Sequence, residues 1–105
     1  MRKFPEKDWK LYRDRIADWQ EAYMDRLNRE YIELLNGSDV PSDKFWALDK
    51  RIKKDRDRAG VRVQMNRSDM VYQIAELYHD GAITMEDLAD FSDDLREAVK
   101  LITGT

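Results

Sequence analysis

Apolar residues recur at every third or fourth position over the first third of the chain, which is the spacing of one face of an α-helix. Pro5 suits the first turn of such a helix, and Gly37 suits the left-handed position that ends one. The pattern therefore predicts one long helix over residues 5–36. Its apolar face consists of Trp9, Tyr12, Ile16, Trp19, Tyr23, Leu27, Tyr31 and Leu34.

The apolar face of this helix widens along its length. The first half carries a narrow, aromatic-rich stripe, whereas Met24, Ile32 and Leu35 broaden the face in the second half. A helix of about 32 residues is about 48 Å long, which exceeds the roughly 30 Å width of a small domain. We therefore expect the broad second half to pack against the other helices and the narrow first half to project.

A second helix is predicted after the turn at residues 37–41, where Ser42 is a suitable N-cap. Its inward residues are Phe45, Leu48 and Ile52, and beyond Ile52 the apolar spacing stops. Residues 61–65 then alternate between apolar and polar side chains, which indicates a short extended connector with one face inward.

The remainder of the chain predicts two or three more helices. Asn66 or Ser68 is the N-cap of a third helix that ends at Gly81, and Thr84 begins the last apolar stretch. Ser92 opens a Ser-Asp-Asp sequence that is itself a good helix start, so we expect a kink or break there. The sequence predicts an all-α fold, a single small bundle of four to five helices built on one long N-terminal helix, with residues 1–105 as one domain.

Composition narrows the class of protein further. The 105 residues include 2 Pro, 4 Gly and no Cys, so long loops are poorly supported, and disulfides and thiolate metal sites are excluded. Nowhere do about 18 uncharged apolar residues occur together, and charged residues follow the initial Met at once. We expect a cytoplasmic protein without a signal peptide or a membrane span.

The sequence contains no recognisable catalytic site. His79 is the only histidine, and it lies beside a predicted helix end, where a positive charge favours the helix dipole. A metal site needs several convergent ligands, and no serine or glycine-rich loop matches a nucleophile turn or a phosphate-binding loop. We expect no enzymatic activity, no catalytic or metal-binding residues, no cofactor and no small-molecule substrate.

Charge is divided unevenly along the chain. Residues 44–67 carry 9 basic and 3 acidic side chains, whereas residues 68–105 carry 2 and 9. Clustered Lys and Arg can neutralise nucleic-acid phosphates, which makes nucleic acid an alternative partner. We favour the interpretation that the basic segment is a solvated helix end that pairs with the acidic C-terminal half. The candidate nucleic-acid contacts are Lys50, Arg51, Lys53, Lys54, Arg56, Arg58 and Arg62.

Aromatic residues on the projecting stripe are candidates for a protein interface, because Trp and Tyr are frequent in interface hot spots. The same stripe predicts self-association into a homodimer that buries it. The alternative is that Trp9, Trp19 and Trp46 pack on the domain's own helices. The candidate interface residues are Trp9, Tyr12, Ile16, Trp19 and Trp46.

Six segments spread over nearly the whole chain carry a resemblance to a known family: DWKLY at 8–12, DWQEAYMDRL at 18–27, YIELL at 31–35, SDKFW at 42–46, DGAITM at 80–85 and FSD at 91–93. The chain resembles short helical bacterial proteins of unknown function found near mobile genetic elements. Members are often labelled multidrug transporters, a label that this sequence contradicts because no segment is apolar enough to span a bilayer. The resemblance implies an accessory role at such elements and supplies no catalytic residues.

These patterns together predict a non-enzymatic protein-binding module with a protein partner, an inhibitor or regulator associated with a mobile genetic element. The alternative is a nucleic-acid-binding regulator that uses the basic segment 50–67.

Overall fold

The helices begin and end close to the positions that the apolar pattern predicts. The computed structural model describes residues 3–105, so the first two residues of the predicted domain lie outside the described part. Within residues 3–105 there are four α-helices, one 3-10 turn at Glu86–Leu88 and no strand. The prediction of an all-α bundle with a long N-terminal helix is confirmed. The α-helices are α1 (Glu6–Leu35), α2 (Pro41–Asp55), α3 (Met70–His79) and α4 (Asp93–Thr103).

Local chemistry accounts for several of the helix ends. The Ser92 side chain accepts a hydrogen bond from a backbone N–H of the first turn of α4, which confirms the predicted break. Gly81, which follows α3, has a φ of 77°, in the left-handed region that favours glycine. The prediction of a left-handed Gly37 is wrong, because Asn36 ends α1 in a right-handed conformation and its N–H binds the Ile32 carbonyl (2.9 Å).

The core lies between the first half of α1 and the closely packed pair α3 and α4. The loop between α3 and α4 closes one side of it through Ile83, Leu88 and Phe91. We call this part of the molecule, residues 3–23 and 57–105, the head. The buried cluster consists of Tyr12, Ile16, Ala59, Met70, Ile74, Ala75, Leu77, Ile83, Leu88, Phe91, Leu95 and Val99.

Buried polar side chains connect the helices of the head. The Asp8 carboxylate, which is fully buried near the start of α1, accepts hydrogen bonds from the Ser92 backbone N–H (2.8 Å) and hydroxyl (2.5 Å). Gln73 accepts a hydrogen bond from the Tyr12 hydroxyl (2.7 Å) and donates one to the Gln64 carbonyl (2.9 Å). These contacts join α1 to the start of α4, to α3 and to the connector before α3.

The half of α1 that projects is the opposite of the predicted one. Tyr12 and Ile16 in the first half are 0% and 7% exposed, whereas Ile32 and Leu35 in the second half are 57% and 43% exposed. The prediction is wrong because α3, α4 and the loop between them cover the first half, while the second half packs mainly against α2, whose C-terminal part is charged. The number of apolar residues on a helix face does not show whether other helices will cover that face.

The second half of α1 and α2 form an antiparallel helical hairpin, which we call the arm (residues 24–56). α2 begins at Pro41 rather than after the predicted N-cap Ser42, because the fixed φ of proline suits the first turn of a helix. The molecule measures 52 × 24 × 21 Å. Its radius of gyration is 16.3 Å, compared with about 13 Å for a compact domain of about 100 residues. The arm accounts for this elongation.

Candidate protein-binding surface

The arm exposes a group of large apolar side chains, which we call the arm face. Each of them is between 42% and 65% exposed. Single exposed apolar residues are ordinary on protein surfaces, but a group of this size on one element is a marker of binding sites. The members are Ile32, Leu35, Val40, Phe45, Trp46 and Ile52.

Helical geometry places much of the arm face on one side of the hairpin. Phe45 and Ile52 lie about 80° around α2 from the row that faces α1, and Leu35 lies about 80° around α1 from the row that faces α2. Because the two helices run antiparallel, side chains that are rotated by the same angle and in the same sense from the facing rows lie on the same side of the hairpin. Leu35, Phe45 and Ile52 therefore lie on one side. The facing row of α2 is half-buried or buried and consists of Lys44, Leu48, Arg51 and Asp55.

An aromatic pair lies at the part of the arm face nearest the tip of the hairpin. The Phe45 and Trp46 rings are 5.0 Å apart between centroids and are nearly perpendicular, with an interplanar angle of 87°. This edge-to-face arrangement is a favourable one for aromatic rings. It leaves both side chains available to a partner, since Phe45 is 63% and Trp46 65% exposed.

The opposite side of the arm is charged. Arg51 donates a hydrogen bond to Glu30 across the hairpin on this side (2.8 Å), and most of the other residues there are exposed and charged. The arm is therefore amphipathic across its thickness, with one apolar and one charged side. The charged side includes Arg26, Glu30, Glu33, Asp43, Lys50 and Lys54.

The structure divides the predicted interface residues into three groups. Tyr12 and Ile16 lie in the core, so they do not form an exposed stripe, and burial raises the pKa of the Tyr12 hydroxyl. Trp9 and Trp19 are half-buried and pack against the core cluster. Trp46 is the one of the five that is more than half exposed. The predicted interface at the first half of α1 is wrong for Tyr12 and Ile16 because α3 and α4 cover that side of α1.

Contacts in the head hold the two half-buried tryptophans. The Trp19 ring lies 6.1 Å from the Phe91 ring. The guanidinium groups of Arg13 and Arg67 each lie 5.7 Å from the Trp9 ring centroid, a distance at which a cation is attracted to an aromatic face. Both tryptophans thus contribute to the packing of the head.

Sequence reasoning missed most of the arm face. It assigned Phe45 and Ile52 to the inward side of α2 and treated Ile32 and Leu35 as a sign of packing. The row that faces α1 instead contains Lys44, Arg51 and Asp55, which an apolar pattern cannot reveal. Phe45, Ile52 and Leu35 gave an apolar signal, but only the three-dimensional arrangement shows that no helix covers them.

The basic segment is paired mostly with nearby acids rather than with the acidic C-terminal half. Of its ion pairs within residues 3–105, only the one from Arg58 to Asp80 (3.0 Å) reaches residues 68–105, so the predicted pairing is wrong for the other cations. Acids on the same helix and on α1 are closer in the folded chain. The other ion pairs join Arg51 to Glu30 and Asp55, Lys53 to Asp49, Arg58 to Asp55, Arg62 to Asp57, and Arg67 to Glu6.

Asp55 connects the base of the arm to the head. Its buried carboxylate accepts a hydrogen bond from the Tyr31 hydroxyl (2.7 Å) and lies 3.4 Å from nitrogen atoms of Arg51 and Arg58. Burial, followed by the hydrogen bond to Asp55, raises the pKa of Tyr31 to about 12. The cluster fixes the register of α2 against α1.

A second apolar feature lies at the other end of the molecule. A groove of about 630 Å³ runs between the N-terminal segment, the start of α3 and the end of α4. Tyr72, Leu101 and Ile102 are its exposed apolar side chains, and Arg67 at its rim is paired with Glu6 (2.6 Å). It therefore presents fewer exposed apolar side chains than the arm face.

Comparisons with protein-family models, with curated proteins and with solved structures find no match to this chain. No helix in the described part is long and apolar enough to cross a bilayer. Among residues 3–105 no three His, Cys, Asp or Glu side chains are grouped to hold a metal ion, and His79 is exposed. The geometry of the arm is therefore the observation from which a function can be argued.

Proposed function

We propose that this protein is a non-enzymatic protein-binding module that contacts its partner through the arm face. The observation that carries the proposal is the apolar side of a projecting two-helix arm. Six side chains of this kind, each about half exposed, present on the order of 600 Å² of apolar surface. Covering this surface with a partner removes it from water, which favours binding.

The chemistry of the surface indicates the kind of partner. A partner that offers the apolar face of a helix fits the ridges and the groove between two antiparallel helices. Phe45 and Trp46 are the expected energetic centre, because large exposed aromatic side chains contribute most where an interface buries them fully. Charged residues around the arm face then select among partners.

The proposed cellular role is that of a cytoplasmic inhibitor or regulator associated with a mobile genetic element. This part of the proposal is supported by the resemblance of the short segments. Two of those segments, 31–35 and 42–46, supply Ile32, Leu35, Phe45 and Trp46 of the arm face.

The proposal is tested with an arm variant, Phe45→Ala combined with Trp46→Ala, and a control variant, Tyr72→Ala combined with Leu101→Ala. The control removes two comparably exposed apolar side chains from the head. Tagged wild-type protein and both variants are incubated with a bacterial lysate and with an untagged copy of the chain, and captured proteins are quantified by mass spectrometry. We expect the arm variant to capture at least about tenfold less of a partner protein than the wild type does. The control variant should capture as much as the wild type. Equal capture by three folded proteins would contradict the proposal.

Nucleic acid is the alternative partner. The wild type and the arm variant can also be used to distinguish nucleic-acid binding from protein binding. Lys50, Lys54 and Arg56 have no carboxylate within 4.0 Å in the described residues, so they are the cations available for phosphate. A labelled DNA duplex is titrated at low and moderate salt against wild-type protein, the arm variant and Lys50→Glu with Lys54→Glu. Binding that weakens steeply with salt and with the charge reversal, but not in the arm variant, would favour the alternative over the proposal.

A further inference from the structure

The groove in the head is built from three stretches that lie far apart in the sequence. Residues 3–9, the start of α3 and the end of α4 supply its walls, and the space between them is about 630 Å³. Small-molecule pockets in proteins have volumes of about 300–1,000 Å³ and are lined mainly by apolar and aromatic side chains. The groove therefore has the size of a small-molecule site, and no single segment of the sequence could have predicted it.

The lining of the groove is mainly apolar. Met70 and Ala98 are buried and line its inner part, whereas Leu101 is 79% exposed and lies at its mouth. An apolar tail that enters the groove leaves water, and each CH₂ group that is fully buried strengthens binding by about fourfold. The other apolar and aromatic lining residues are Phe4, Pro5, Trp9, Val71, Tyr72 and Ile102.

Three charged side chains line the groove, and two of them neutralise each other. Arg67 donates hydrogen bonds to both carboxylate oxygens of Glu6 (2.7 and 2.6 Å), a bidentate arrangement that is strong and directional. The third is Lys3, which is exposed and has no carboxylate within 4.0 Å among residues 3–105. The lining residues thus carry one uncompensated positive charge beside an apolar space.

We propose that the groove binds a small amphipathic anion, a carboxylate carried on one alkyl tail, as in a medium-chain fatty acid. The tail occupies the apolar groove, and the carboxylate lies at the rim beside Lys3. The sign of the uncompensated charge favours an anion over a cation with the same tail. The carboxylate stays at the rim because burying an unpaired charge among apolar side chains is costly. The site is separate from the arm face and does not depend on the proposed function.

The experiment uses decanoate as the probe, titrated into the wild-type protein at low salt and below the concentration at which decanoate aggregates. Calorimetry gives the affinity and the stoichiometry, and amide shifts in NMR spectra locate the site. We expect one saturable site, with the largest shifts in residues 3–9, 67–72 and 98–102. Octanoate should bind at least about fivefold more weakly, because two fewer CH₂ groups leave water. Decyltrimethylammonium, which has the same tail and the opposite charge, should bind at least about threefold more weakly.

Variants separate the apolar and the charged part of the site. Leu101→Glu places a carboxylate at the mouth and should weaken decanoate binding by at least about tenfold. Lys3→Glu should weaken it by about threefold to tenfold, whereas Lys3→Arg keeps the charge and should bind within about twofold of the wild type. Both positions are exposed, so the variants should fold, which circular dichroism checks. Lys50→Glu in the arm changes the net charge equally and is the matched control, which should bind like the wild type.

Three results would overturn the inference. The first is no saturable binding of decanoate, or amide shifts that do not cluster around the groove. The second is equal affinity for decanoate and decyltrimethylammonium, because charge then does not select the ligand. The third is a loss of binding in the arm variant that Leu101→Glu does not show, because this would place the site on the arm face.

Discussion

Buried carboxylates, more than surface charge, determine how the helices of this protein are joined. Asp8 receives two hydrogen bonds from Ser92 at the start of α4, and Asp55 receives one from Tyr31 at the base of the arm. Hydrogen bonds to a charged acceptor are stronger than neutral ones, and removing one partner leaves the other unsatisfied inside the protein. Single substitutions at these positions should therefore have large effects.

Asp8→Ala should lower the free energy of unfolding by about 2–3 kcal/mol, because the Ser92 N–H and hydroxyl lose their acceptor in a buried site. Asp8→Asn keeps one acceptor oxygen and should cost less. Urea denaturation followed by circular dichroism measures both. Asp14→Ala, at an exposed position of the same helix, is the control and should change stability by no more than about 0.5 kcal/mol. Similar losses for Asp8→Ala and Asp14→Ala would contradict the role of Asp8.

Alkaline pH should destabilise the protein through Tyr31. The unfolded chain releases a tyrosine proton at about pH 10, whereas the pKa of Tyr31 in the folded protein is raised to about 12. The folded state therefore holds the proton more tightly, and its stabilising effect, complete below about pH 10, is lost as the pH rises towards 12. Urea midpoints measured from pH 9 to 11 should fall less steeply for Tyr31→Phe than for the wild type. Parallel slopes would show that Tyr31 does not contribute.

The helices differ in how firmly they are held. α3 buries Met70, Gln73, Ile74, Ala75 and Leu77, whereas α2 buries only Asp55. A helix with few buried apolar contacts opens locally at a lower free energy than one in the core. The arm should therefore behave as a less stable unit than the head.

Hydrogen exchange tests this difference. In dilute solution, amides in the middle of α2 should exchange at least about tenfold faster than those in the middle of α3 and α4. Mass spectrometry of peptides from each helix gives the rates, and the slowest peptides of the head serve as the internal reference. Equal protection of α2 and α3 in a monomeric sample would show that the arm is not a separate unit.

Sequence patterns predicted the elements better than their arrangement, and the reason differs from one element to the next. The Ser92 break and the end of α3 close to Gly81 were predicted because helix capping depends mainly on neighbouring residues, although the same reasoning failed at Gly37. The burial of Tyr12 and Ile16 was not, because it depends on α3 and α4, which lie far away in the chain. The exposure of Phe45 and Ile52 was missed because the row of α2 that faces α1 is partly charged, contrary to the usual apolar rule.

The whole molecule is a head with one long extension. Its dimensions of 52 × 24 × 21 Å follow from α1, which runs through the head and continues into the arm as a single helix. The Asp55 cluster, through Tyr31 and Arg51 of the arm and Arg58 of the head, joins the two parts. The extended shape is therefore built in and should persist in solution.

Small-angle X-ray scattering measures this shape. The arm variant, measured in dilute solution, should give a radius of gyration near the 16.3 Å of the structure, slightly enlarged by hydration. A value near the roughly 13 Å of a compact domain of about 100 residues would mean that the arm folds back onto the head. The control variant in the head provides the comparison at the same concentration.

Because the arm face lies outside the core, substitutions there are largely uncoupled from the stability of the head. Most sequence change is constrained by the small margin of stability that a folded protein has. Positions such as Ile32, Phe45 and Trp46 escape much of that constraint, whereas Asp8 and Tyr12 do not. A lineage of such proteins can therefore diverge quickly in what the arm recognises while the head stays nearly unchanged. Related chains should differ most along the arm face and least around Asp8 and Ser92.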